Sequence, residues 1–393
     1  QSATANDYNT AIGYTALYSI SGSDGAEGEG NTALGYQTGY STTTGNFNTF
    51  LGQNAGYYNT TGASNVIIGA SSGQNNTIGQ NNIYIGYQAA LYQTAKGENI
   101  AIGTGGLYGA NGEASSTEAS VAIGFQAARG SSAGYGLTAV GRGALRNVSD
   151  SGSYSTAIGQ NSGYYASGSN NTFVGASAGR GGTTSAPYST GANNVAVGLN
   201  ALDAFTTSDY NTAVGWNSLG SITAAGGNSA LGFYAGGAIT NTSAINNVLL
   251  GGYAGYGGSG NLNQNVIIGT YAVDATGTHN LTNSVFIGYQ AGSNTHAGST
   301  TGNIGIGLQS LNGLMNNANY NVALGYVALS AVTTGDTNIG IGVGAGQSIT
   351  TGGNNTIVGS EAGDTMTGTS NTVIIGYQAG DAINSTDADG PVA

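Results

Sequence analysis

Two histidines, five lysines and arginines and seventeen carboxylates make up nearly all the acid–base and metal-binding chemistry in this 393-residue sequence, which has no cysteine. His279 and His296 lie in loop-like stretches about one repeat apart. Two imidazoles can start a metal site, but this pair reads as solvated loop histidines. The insert carrying Asp24, Glu27 and Glu29 offers oxygen ligands of the kind calcium takes, and reads as a solvated acidic loop. Lys96, Arg129, Arg142, Arg146 and Arg180 read as scattered, unlike the clustered Asp, Lys and Arg of β-helix lyases and glycosidases. Without cysteine there is neither disulfide nor thiolate. The expectation is a non-enzymatic protein with no catalytic residue, cofactor or metal.

Composition narrows the partners. The formal net charge is −12 and only 6% of residues are charged. Tracking a phosphate backbone requires many Lys and Arg, and so does a polybasic membrane patch, so neither nucleic acid nor membrane insertion is expected. Glycine supplies 73 residues, yet 39% of the chain is hydrophobic and there are only two prolines. That balance favours order over a disordered tract.

The order comes from a repeat. A phrase of Asn or Ser in nearly every case, then a β-branched residue, two apolar residues and Gly, marks 21 units, as in Asn9–Gly13, Asn194–Gly198 and Asn355–Gly359. The closing glycines run from Gly13 to Gly376, and the commonest spacing is 17 residues. The residue before the glycine is always Ile, Leu or Val; the residue three after it is small; the residue four before it is Asn in 16 units. Such a period is too short for helix-pair repeats, and a β-branched phrase bounded by turn residues reads as a short strand. The predicted fold is all-β: a parallel β-solenoid (β-roll) of about 21 short coils stacked about 4.8 Å apart. One continuous repeat domain spans 9–380, between an N-terminal segment (1–8) and a C-terminal tail (381–393).

Stacking assigns structural roles to these positions. Asn48, Asn65, Asn211 and Asn321 are expected to form amide ladders. Ile12, Leu51 and Ile375 are expected to fill the thin interior, and Gly52, Gly215 and Gly376 to supply a backbone geometry or close approach that a Cβ would forbid. The residue two before the glycine is apolar as well, so both strand faces are apolar, the pattern of a strand covered on both sides. Phe50, Tyr84, Phe173, Trp216 and Phe286 are therefore expected to pack between chains, making the protein an oligomer. Surface tyrosines could pack likewise or stack on glycans. The sequons at Asn59, Asn147 and Asn241 would permit glycosylation of exposed loops.

The phrases NSVFIG (Asn283–Gly288), ASVAIG (Ala119–Gly124) and ENIAIG (Glu98–Gly103) resemble the NSVAIG signature of YadA-like head domains of trimeric autotransporter adhesins, found also in some phage tail fibres. The resemblance covers nearly the whole chain. It implies a left-handed β-roll, usually trimeric, displayed outside the cell for adhesion. Together these readings predict a secreted subunit of an extracellular or cell-surface fibre that assembles with itself, as a homotrimer or a filament. The alternative is a receptor-binding head that engages a host surface or glycans. A first residue of Gln suits a processed secretory leader.

Overall fold

The computed structural model describes residues 8–21, 27–109, 117–131, 134–148, 153–185, 188–294, 296–381 and 383. The N-terminal segment apart from Tyr8, Asp24 of the acidic insert, and Asp387, Asp389 and Pro391 of the tail lie outside them. Two compact units divide the chain, 1–194 and 195–393. Each is a parallel β-solenoid, and no helix occurs among the described residues.

In the first unit, ten three-residue strands from Thr10–Ile12 to Thr172–Val174 pair in chain order, each in parallel register with the next. In the second, eleven strands from Val195–Val197 to Val373–Ile375 do the same. Residues at the same place in the repeat stack: Phe50 lies beside Ile67, and Ile67 beside Tyr84. A smaller parallel sheet of Leu262–Asn263, Leu281–Thr282 and Thr300–Thr301 reinforces the second unit.

After each strand the chain turns sharply. The closing glycines all have φ between 123° and 144°, a region closed to residues with a Cβ. The backbone then alternates, with positive φ two and four residues later in every coil, as at Asn54 and Gly56. A short bond from the small position closes the turn, with the Ala55 N–H donating to the Gly52 carbonyl at 3.2 Å.

The direction of the strand residues corrects an expectation. In a three-residue strand the middle side chain points to one face and its neighbours to the other. The middle residue, two before the glycine, faces inward and is fully buried at Phe50, Tyr84, Phe173 and Phe286. These four fill their own chain's interior and cannot pack between chains. Conversely, Ile12, Leu51 and Ile375 point outward, and Ile12 is 60% exposed.

A size rule governs that interior. Each coil places two residues there, the middle strand residue and the residue four after the glycine, and in most coils they trade volume. Where the first is Ala or Gly, the second is often Leu, as at Leu107, Leu145, Leu219 and Leu329, all buried. Where the first is Phe50, Phe173, Phe286 or Ile357, the second is Gly56, Gly179, Gly292 or Gly363. The backbone at this turn does not demand glycine, since Leu107 and Leu145 hold φ of 47° and 46° there. Space does: a Cβ on Gly56 would lie 2.5 Å from the Phe50 ring. In coils with both positions small, such as that of Ala33 and Gly39, side chains reach in from the adjacent coils, here Leu17 and Phe50. Close packing of this kind makes volume changes costly in either direction.

The rule is testable by exchange. Phe50→Ala is expected to cost about 3–5 kcal/mol by leaving a cavity, and Gly56→Leu alone to overpack by about 1–3 kcal/mol. The double variant recreates the Ala–Leu pairing of other coils and is expected to be more stable than the sum of the singles predicts by at least about 1 kcal/mol. A denaturation-based double-mutant cycle measures this, and strict additivity would refute the volume trade.

Candidate functional surfaces

The buried polar columns are structural. Asn48, Asn65, Asn211 and Asn321 have essentially no exposed surface. Asn65 Nδ2 donates to Asn48 Oδ1 at 3.0 Å, and Asn82 Nδ2 donates to Asn65 Oδ1 at 3.0 Å. The second amide hydrogen crosses the coil to a turn carbonyl, Gly79 for Asn65 and Gly335 for Asn321, both at 2.9 Å. Gly52, Gly215 and Gly376 close the strands, and a Cβ on Gly52 would sit 2.8 Å from the carbonyl carbon of Gly69.

Sequence reasoning missed a second interior column, seven residues after the glycine. It is polar in part of the first unit, with Thr42, Asn59, Asn76 and Gln93 buried, and apolar in much of the second, with Ile222, Ile239, Val332 and Ile349 buried. Asn59 therefore cannot serve as an exposed glycosylation acceptor: it lies in the wall and donates from Nδ2 to the Gly62 carbonyl at 3.0 Å. His296 also belongs to the interior rather than to a solvated loop, and is fully buried. Burial, with a smaller contribution from the charge of His279, lowers its pKa to about 4, outweighing the opposing influence of the Gly292 backbone. Its imidazole is therefore neutral at neutral pH. Among the described residues no group of three or more His, Cys, Asp or Glu is placed to hold a metal ion. Glu27 is exposed and Glu29 half-buried.

Three features remain on the outside. The first is the outward strand face, with Leu34, Leu51, Ile102, Ile123, Leu231 and Ile341 among its exposed aliphatics. Among the described residues no strand contains a charged residue. The second is a set of aromatic stacks built by the coil spacing. Tyr18, Tyr40 and Tyr57 stack at 5.1 and 5.0 Å with rings 4° from parallel. Tyr234, Tyr253 and Tyr271 stack at 5.5 and 5.2 Å. Trp216 lies outward, 42% exposed, with its ring centroid 4.8 Å from that of Phe233.

The third is a cationic cleft. The arginines are not scattered: Arg129, Arg146 and Arg180 all stand five residues after a closing glycine, in one outward column of the first unit. Arg142 lies one residue after its glycine, and it joins Arg146 and Arg180 in lining a cleft of about 230 Å³ with Phe125, Tyr164 and Tyr165. Arg129 sits over the Tyr108 ring at 4.8 Å and Arg146 over Tyr164 at 5.2 Å. The clue was present in the numbering, since residues 129, 146 and 180 are one and two 17-residue periods apart. Lys96 stands elsewhere and forms an ion pair with Glu118 at 3.0 Å.

Comparison with known proteins adds no relative: no family model matches the chain, and no curated protein matches it. The fold defines it as a parallel β-solenoid repeat protein. No helix among the described residues is long and apolar enough to cross a membrane.

Proposed function

We propose that the chain is a non-enzymatic structural subunit of an extracellular or cell-surface fibre, whose copies pack against one another through the outward strand face. The exposed aliphatic column carries this reading. Soluble monomers rarely expose contiguous apolar patches beyond a few hundred Å². Here each coil adds an outward Ile, Leu or Val beside an outward Thr, Val, Ile or Ser, with no charged residue interrupting the strands. A second copy of the same face is the matching occupant, since its columns share the coil spacing and neither side brings a charge into the contact. Outward rings such as Trp216 and Tyr326 flank this face and extend the apolar area.

Light scattering and negative-stain microscopy of the purified protein test the reading. Oligomers or unbranched polymers are expected. The variant Leu51→Lys/Ile102→Lys/Ile123→Lys should shift assembly to monomer by at least about a hundredfold in dissociation constant, because desolvated, unpaired ammonium groups are costly. Its β circular dichroism should survive, as these side chains point away from the core. A wild-type chain that stays monomeric at high concentration would defeat the proposal. The second reading, a receptor-binding head of a trimeric adhesin or tail fibre, draws support from the ordered tyrosine stacks, which give a rigid aromatic surface. Discrete trimers of finite length would favour it over a filament.

A further inference from the structure

We propose that the cleft lined by Arg142, Arg146 and Arg180 binds an acidic sugar, the guanidinium groups holding its carboxylate or sulfate while Tyr164 and Tyr165 pack against the ring. The inference is independent of fibre assembly. All four arginines of a chain with net charge −12 lie between residues 129 and 180, and three line this one cleft. Coil stacking brings three cationic side chains to the lining of one cleft, an arrangement that an anion relieves.

Arg146 is also held in place. Arg146 donates from Nε to Gln126 Oε1 at 2.9 Å and from a terminal nitrogen to the Tyr164 hydroxyl. Among the described residues both partners are neutral, so its charge is not cancelled by them. A guanidinium carries five N–H donors, so three remain. Arg142 lies 5.9 Å from the centre of the Phe125 ring. A planar donor fork fixed by neighbours suits bidentate recognition of a carboxylate or sulfate.

Size and surroundings choose the ligand class. Pockets for drug-sized ligands begin at about 300 Å³, and a cleft of about 230 Å³ suits a single sugar residue. Aromatic rings offer an apolar face to the C–H side of a pyranose. A long polyanion would meet repulsion from the acidic remainder of the chain, whereas one acidic sugar meets only the arginines.

Calorimetric titration of the full chain with N-acetylneuraminic acid and D-glucuronate, against D-glucose and inorganic sulfate, tests this. At least one acidic sugar should bind and glucose should not. Arg142→Gln/Arg146→Gln should weaken binding about tenfold or more, with unchanged circular dichroism. Should that variant misfold, Arg180→Gln supplies the same comparison with a weaker loss. Tyr165→Ala should weaken the sugar several-fold and leave sulfate unaffected. The assignment is overturned if neither sugar binds, if the arginine variants bind as well as wild type, or if sulfate binds as tightly as the sugars and Tyr165→Ala changes nothing.

Discussion

Gly52→Ala is expected to cost about 4 kcal/mol or more, among the largest effects a single methyl group can have. Two costs combine. The φ of 123° at Gly52 is nearly inaccessible to a residue with a side chain. The added carbon would also lie 2.8 Å and 2.9 Å from the carbonyl carbon and oxygen of Gly69. That neighbour is backbone, held in register by the strand ladder, and cannot swing aside as a side chain could. Solenoid stability is close to a sum of coil terms and nearest-neighbour terms, so the damage should be local. Hydrogen exchange should show lost protection in the strands Thr49–Leu51 and Val66–Ile68 and near-normal protection several coils away. Gly105→Ala is the control. Its φ is 63°, a value that Asn54 and Gln37 approach at the same turn position, and the nearest atom to an added Cβ is 3.8 Å away. A cost of only about 1–2 kcal/mol is expected there. Equal effects from the two variants would show that the glycines do not act through coil-to-coil approach.

Asn65→Leu should be nearly as damaging. The Asn65 amide donates to Asn48 Oδ1 and the Gly79 carbonyl, and its oxygen accepts from the Asn82 backbone N–H and side chain. Leucine fills similar volume but strands the Gly79 carbonyl and the Asn82 N–H in the interior. Each buried polar group left without a partner costs about 1–3 kcal/mol, giving about 3–5 kcal/mol in all. Asn65→Ser should cost roughly half as much, because the protein already uses serine here. Ser120 Oγ accepts from the Leu137 N–H and Ser284 Oγ from the Asn303 N–H, both at 3.1 Å. Serine keeps the bond to the next coil but is too short to repeat the amide's reach to the far turn. Urea unfolding monitored by exchange in the flanking coils separates the two variants. Leucine and serine behaving alike would mean that the ladder contributes little beyond volume.

The repeat, the short strands, the parallel stacking and the polar column of Asn were legible because stacking puts one slot of the repeat directly over the next. A slot's residue type then reports its environment 21 times over. The direction of the two apolar strand positions was not legible by the same logic. Constancy at Ile12, Leu51 and Ile375 suggested an interior, yet the inward column is the variable one, running from Gly305 and Ala33 to Phe50 and Tyr84. Variation there is correlated: a large residue at either place goes in most coils with a small one at the other, and where both are small, as at Ala33 and Gly39, neighbouring coils fill the space. A search for compensating pairs would have exposed it. The arginine cleft was hidden for a related reason, since charges 17 and 34 residues apart look distant along the chain and are close in space.

By itself, then, the sequence determined the unit of the fold and how units stack, because hydrogen bonding and side-chain ladders depend on period and residue type. Only the tertiary structure decided which face of each strand looks inward and which side chains meet across coils. Those outcomes depend on the direction the chain takes after each strand, set by positive-φ residues such as Asn54 and Leu107 whose identities do not announce that conformation. Once the turn points Phe50 inward, Leu51 must face out, and the apolar face and the arginine wall follow from the same geometry.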